Sequence, residues 1–149
     1  MRKYHDKEGL AKIGMSAEKF NQSQAGIYIL IEFTKEYDIY PVQAMVRQVI
    51  DKKNLNAVQP DVCFYEEDNP VAVVVIEIED HENFSKCKKT VKQHLTEYPD
   101  IKEGFAFNID KKEWVRYARE GKKITEYEGE SYSEYLDADF ETYLENYDI

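Results

Sequence analysis

The chain has 149 residues, 42% of them hydrophobic, with twelve tyrosines and a formal net charge of −10. That length suits one domain around one core, and the acidic balance argues against a broad basic surface that adsorbs nucleic acid through phosphate contacts. Two cysteines exclude a disulfide framework, and no apolar run approaches the length of a membrane span and no signal peptide is visible, so a cytoplasmic protein is expected.

The opening stretch MRKYHDKEGLAKIG is polar. Residues 1–25 are expected to form a partly ordered segment ahead of a domain over 26–149, with a short helix over 16–20 behind Ser16 as N-cap. GIYILIEFT (26–34) is β-branched and aromatic and predicts a strand, followed by a turn at 35–38. PVQAMVRQVIDKKN (41–54) places Val42, Met45, Val46 and Val49 at helical spacing behind Pro41, which predicts a helix closed by Lys52 and Lys53.

Two strands are expected next, over 61–66 and 71–79, joined by a turn at 66–69. The run VAVVVI is apolar throughout, as in a central strand covered on both faces. ENFSKCKKTVKQHLTEY (82–98) sets Phe84, Val91, Leu95 and Tyr98 on one face of a helix that Pro99 ends. A hairpin follows over 103–110 and 114–120, with a further strand near 122–129 and an acidic helix over 136–147. The fold class is therefore α/β (α+β), a single domain with a mixed central sheet flanked by helices. Cys63 and Cys87 fall in apolar patterns and are expected to be buried thiols.

The chemistry concentrates in PDVCFYEEDNPVAVVVIEIED (60–80). Alternation points Glu77 and Glu79 to the same face. An antiparallel hairpin brings Asp61, at the start of one strand, beside the end of the next. Two carboxylates and the Ile78 carbonyl are hard oxygen donors of the kind Mg²⁺ or Mn²⁺ takes. The alternative is a strand end whose carboxylates simply reach water. His5, His81 and His94 lack zinc-ligand spacing, and no phosphate-cradling glycine loop is present.

The order of these pieces resembles the PD-(D/E)XK nuclease superfamily: a Pro-Asp strand, a short hairpin, an apolar strand ending in an acid, then a helix. More narrowly, the chain is similar to the small bacterial restriction-endonuclease-like proteins abundant in cyanobacteria, over about residues 26–145. The resemblance implies a restriction-endonuclease-like fold and Mg²⁺- or Mn²⁺-dependent hydrolysis of DNA. It implies Asp61 and Glu77 as metal-binding acids, with the Ile78 carbonyl beside them.

The superfamily's lysine stands two residues after the acid, where this chain has Glu79. Some relatives take a lysine from the following helix instead, and projection at 100° per residue favours Lys88, then Lys92. Glu79 is expected as a third ligand or as a group that orients water. His94 stands where the narrower family favours lysine. Arg116 and Arg119 are candidates for substrate contact or for structural salt bridges. A second expectation is a catalytically inactive nuclease-fold binding or regulatory protein. A third is a domain whose tyrosines build a homodimer interface.

Overall fold

The run after Pro70 forms the middle of the molecule, with residues 72–76 at most 1% exposed. The computed structural model describes residues 17–37 and 42–149. Six strands lie side by side in chain order: β1 (Val42–Val46), β2 (Val62–Glu66), β3 (Val74–Glu79), β4 (Glu103–Asn108), β5 (Glu113–Glu120) and β6 (Lys123–Glu128). Every neighbouring pair is antiparallel except β3 and β4, which run parallel. Parallel neighbours need a crossover connection, and helix α2 (Phe84–Glu97) supplies it.

The two faces of the sheet carry separate cores. Helix α1 (Ala17–Glu36) and the short C-terminal helix α3 (Phe140–Leu144) cover one face, packing Ile29, Phe33 and Phe140 against Phe64, Ile76 and Phe105. Helix α2 covers the other, packing Val91 and Leu95 with Val75, Ala106 and Val115. This is a mixed α+β architecture in one domain, with a small two-stranded sheet of β7 (Tyr132–Ser133) and β8 (Ala138–Asp139) leading into α3.

Two glycines let the helices come close. A Cβ on Gly26 would stand 3.4 Å from Val62 and 3.7 Å from the Asp61 carbonyl, so α1 crosses directly over the start of β2. A Cβ on Gly104 would stand 2.5 Å from Val91 and 2.7 Å from Leu95, so α2 lies tightly on β4. At the far end of α2, the Arg119 guanidinium donates to the carbonyls of Leu95, Tyr98 and Ile101 and satisfies groups the helix terminus leaves open.

Three expectations are corrected. Residues 26–34 are helical, not extended: Ala25, Tyr28, Ile29 and Phe33 are buried at helical spacing while Ile27 and Ile31 face outward. The packing of that stripe on the sheet outweighs the β preference of its residues. Residues 42–46 form a strand, not a helix, and pair with β2 from Val42↔Glu66 to Val46↔Val62. VQAMV satisfies period two as well as helical spacing: Val42 and Ala44 enter the core beneath α1, and Met45 packs on the opposite core.

The acidic segment 136–147 is helical only over Phe140–Leu144. Asp139 caps it by accepting from the Glu141 amide at 3.2 Å, which starts the helix later than the hydrophobic pattern suggested. The expected strands over 61–66, 71–79, 103–110, 114–120 and 122–129 correspond to β2 through β6, and the helix over 82–98 to α2. The helix expected over 16–20 is present from Ala17 as the first turn of the much longer α1, while Ser16, the segment before it and Pro41 lie outside the described residues.

Candidate functional site

The hairpin places Asp61 where the alternation required. The β2–β3 ladder ends at Val62↔Ile76, so one step further Asp61 stands opposite Glu77. The Asp61 amide donates to Glu77 Oε1 at 3.0 Å, and the Ile78 amide donates to Asp61 Oδ2 at 2.7 Å. Each side chain thus takes the place of the next ladder bond. In an extended strand the N–H and C=O of one residue leave on the same edge, so the Ile78 carbonyl faces the edge on which Asp61 lies.

Burial and mutual repulsion act together here. Removal from water, then the charge of Glu77, push the Asp61 carboxyl from its usual 3.8 up to about 7, with Arg47 opposing the shift. Arg47 is held between α1 and this strand end: its guanidinium donates to Ser23 Oγ at 2.9 Å and its amide to the Asp61 carbonyl at 3.2 Å. The Glu79 carboxyl is also raised, first by burial, while Lys19 on α1 lowers it.

These groups open into a cleft of about 590 Å³ between α1 and α2. Asp61, Glu77 and Glu79 form its floor, and Asp80 and Glu82 continue it along the loop. Lys19 and Gln22 stand on the α1 wall, Lys86 and Thr90 on the α2 wall. Lys88 does not line this cleft; its ammonium lies 5.5 Å from the Phe84 ring centroid and it borders the neighbouring depression with His81 and Trp114. Lys92 is exposed on α2 and does not line the cleft. The helix lysine that lines the cleft is Lys86, two residues before the position that projection favoured.

His94 reaches the site from the buried face of α2. Its Nε2 stands 3.0 Å from Glu77 Oε2, and the residue is 4% exposed. Glu77 therefore has one oxygen on the Asp61 amide and the other on His94. Each carboxylate oxygen has two lone pairs, so both retain accepting capacity toward a cation. No group of three or more His, Cys, Asp or Glu side chains is arranged to hold a metal ion among the described residues. A cation brought here would meet two adjacent carboxylates and a backbone carbonyl, with Glu79 on the same face. Burial, then the charge of Glu77, raises the Asp61 carboxyl; a bound cation would offset that charge, and these oxygens are donors of the kind that Mg²⁺ or Mn²⁺ would take together with water.

Arg116 and Arg119 are placed away from the cleft. Arg116 is buried and pairs with Glu103 at 3.4 Å, Glu130 at 3.0 Å and Glu134 at 3.4 Å. Glu103 in turn accepts from Ser133 Oγ and the amides of Glu134 and Tyr135, tying the β7 loop to β4. Several tyrosines are likewise engaged within the chain. Tyr143 donates to Glu36, Tyr147 to Glu32 and Tyr135 to Glu66. Cys63 and Cys87 are buried free thiols, as their apolar settings suggested.

Lys19 and Gln22 carried no signal while 26–34 read as a strand. Taken as one helix, 17–36 would have shown them three residues apart on one face, one turn before Gly26. The His94–Glu77 contact had no local signature, because it joins a helix to a strand through packing. No helix among the described residues is long and apolar enough to cross a membrane.

No protein-family model matches the chain. No curated protein matches it in sequence. Among solved structures, the type IIG restriction endonuclease BpuSI is similar over 68% of this chain, with a TM-score of 0.51 and 6% identity. The match takes in 12% of that enzyme's chain, so this protein corresponds to a small part of it. The mixed six-stranded sheet, its flanking helices and this likeness together make the fold restriction-endonuclease-like.

Proposed function

We propose that the protein is a divalent-metal-dependent nuclease of the PD-(D/E)XK type that hydrolyses DNA phosphodiester bonds. One observation carries the reading: the Pro-Asp strand and the acid-ended strand bring Asp61 and Glu77 together, the Asp61 amide donating to the Glu77 carboxylate and the Ile78 amide to the Asp61 carboxylate, at the floor of an open cleft. Asp61, Glu77 and the Ile78 carbonyl would hold Mg²⁺ or Mn²⁺. Such an ion, when bound, supplies charge stabilisation to a phosphate and lowers the pKa of a water.

The chain's own residues divide the remaining work. His94 holds the Glu77 carboxylate in one orientation. Glu79, on the same face as Glu77, accepts a hydrogen bond from the water that attacks and aligns it. Lys86, on the wall of α2, balances charge that develops on the phosphate, the part the usual strand lysine plays. Lys19 adds a second cation from α1.

A second reading is a nuclease fold kept for binding or regulation without catalysis. Glu79 in the lysine position and the engagement of Glu77 by His94 favour it. Supercoiled-plasmid nicking with Mg²⁺ or Mn²⁺ separates the two. The nuclease reading expects nicking by the wild type and a loss of about a hundredfold or more in Asp61→Ala. Equal nicking by both proteins means contamination and sinks it. Plasmid binding without nicking by either supports the second reading.

A further inference from the structure

The cleft holds a buried, uncharged polar side chain that the described residues leave without a partner. Gln22 is 7% exposed, lines the cleft beside the acids, and makes no hydrogen bond among the described residues. Its carboxamide is not sealed in the interior; the fully enclosed polar atoms without partners on this helix belong to Asn21, Gln24 and Tyr28. Gln22 is thus largely buried, lines the cleft, and has no atom among the fully enclosed unpartnered ones, which is how a side chain with its carboxamide toward the cleft would stand. A carboxamide carries two N–H donors and an accepting oxygen, and a site that leaves such a group unmet is one that a ligand can satisfy.

Packing sets its position. Gly26 brings α1 onto Val62 and Asp61, and the Arg47–Ser23 bond fixes the same turn of the helix to the strand end. Gln22 lies one turn before Gly26, facing the floor on which Asp61 and Glu77 meet. The floor is rich in acceptors and poor in donors. A phosphate brought there needs N–H groups, and a neutral carboxamide provides them without forming a salt bridge to the surrounding carboxylates.

We infer that Gln22 is a substrate-contacting residue, donating from its carboxamide to a phosphate oxygen of a bound nucleic-acid strand. The assignment rests on the nuclease reading above and adds a contact from α1 that the Pro-Asp and acid-ended strands do not supply.

The test uses the full chain, a fluorescein-labelled 16-base-pair DNA duplex and Ca²⁺ in place of Mg²⁺, with binding followed by anisotropy. Mn²⁺ affinity is measured in parallel by electron paramagnetic resonance, and melting temperature by circular dichroism. Gln22→Met keeps the length and burial and removes the amide. It is expected to weaken duplex binding about tenfold, the loss of one good hydrogen bond, with Mn²⁺ affinity and melting temperature held or the latter raised. Gln22→Glu, close in shape, is expected to weaken it further by adding an acid.

Wild-type binding with an unaltered Gln22→Met overturns the assignment alone. So does a variant that loses duplex binding, Mn²⁺ affinity and melting temperature together, because Gln22 is then structural. A wild type that binds neither Mn²⁺ nor the duplex overturns the assignment and the nuclease reading at once.

Discussion

Asp61 and Glu77 are joined across the end of the central hairpin by the Asp61 amide, 3.0 Å from Glu77 Oε1, while Asp61 itself accepts from the next amide along, that of Ile78. Two acids meet because the strand pairing stops one residue short of them. Their side chains then complete the ladder that the backbone has ended. The same arrangement leaves their charges close together, partly shielded from water.

That closeness makes stability depend on pH. The Asp61 carboxyl sits at about 7 in the folded protein against 3.8 ordinarily. Between these values the folded chain keeps a proton that the unfolded chain has released. Stability attributable to this group is therefore full below about pH 4, falls as pH rises, and levels off above about pH 7. Asp61→Asn, whose carbonyl oxygen can still accept from Ile78, should flatten this slope and stabilise the metal-free protein at pH 8 by on the order of 2 kcal/mol, allowing for solvent screening. Urea denaturation at pH 5 and pH 8 checks it. An unchanged slope in the variant would show that Asp61 ionises normally. Added Mg²⁺ should raise the melting temperature of the wild type and not of the variant.

The lysines give a sharper contrast. Lys86 lines the acidic cleft, whereas Lys88 turns toward Phe84 and borders another depression. Lys86→Ala is expected to reduce plasmid nicking about a hundredfold, with Lys88→Ala and Lys92→Ala close to wild type. Single-substitution nicking rates at fixed Mg²⁺ decide this. A loss confined to Lys88→Ala would move the cation to the other side of α2.

His94 is tied to Glu77 at 3.0 Å and is almost wholly buried. Replacing it with leucine removes the partner of Glu77 Oε2 and should cost about 1–2 kcal/mol in urea unfolding. Mn²⁺ affinity should fall about tenfold, as when a group that orients a ligand is lost. His94→Gln, which restores a donor, should recover part of both. Equal loss in the two variants would argue that the imidazole only fills space.

Gly104 tests how α2 is seated. A Cβ there would stand 2.5 Å from Val91 and 2.7 Å from Leu95, so Gly104→Ala must push the helix off β4 or bend those side chains. A destabilisation of about 1–3 kcal/mol is expected. Mn²⁺ affinity should weaken with it, because His94 rides on the same helix. Thermal unfolding and Mn²⁺ titration measure the two effects, and a variant as stable as wild type would contradict the tight seating.

The hairpin of β2 and β3 was legible because its signals are local and agree. Pro60-Asp61 opens one run, EEDN turns the chain, and the second run is too continuously apolar to be anything but central. Strand alternation then brings Asp61, Glu77 and Glu79 to one end without further information. Helix α2 was equally plain, since Phe84, Val91 and Leu95 fall on one face and Pro99 ends it.

The first third of the chain was not decided locally. GIYILIEFT has the β-branched and aromatic residues of a strand, and VQAMV fits both the helical and the extended period. The sheet settles both: β2 offers its free edge to Val42–Val46, and the face above it accepts the Ala25, Ile29 and Phe33 stripe only from a helix. Sequence alone therefore determined the acid-bearing hairpin, the helix after it and the strands that follow. Tertiary structure decided which walls face those acids. Lys86 rather than Lys88, His94 on Glu77, and Lys19 with Gln22 opposite them are set by how two helices seat on the sheet through Gly26 and Gly104, and contacts between distant segments leave no period in the chain.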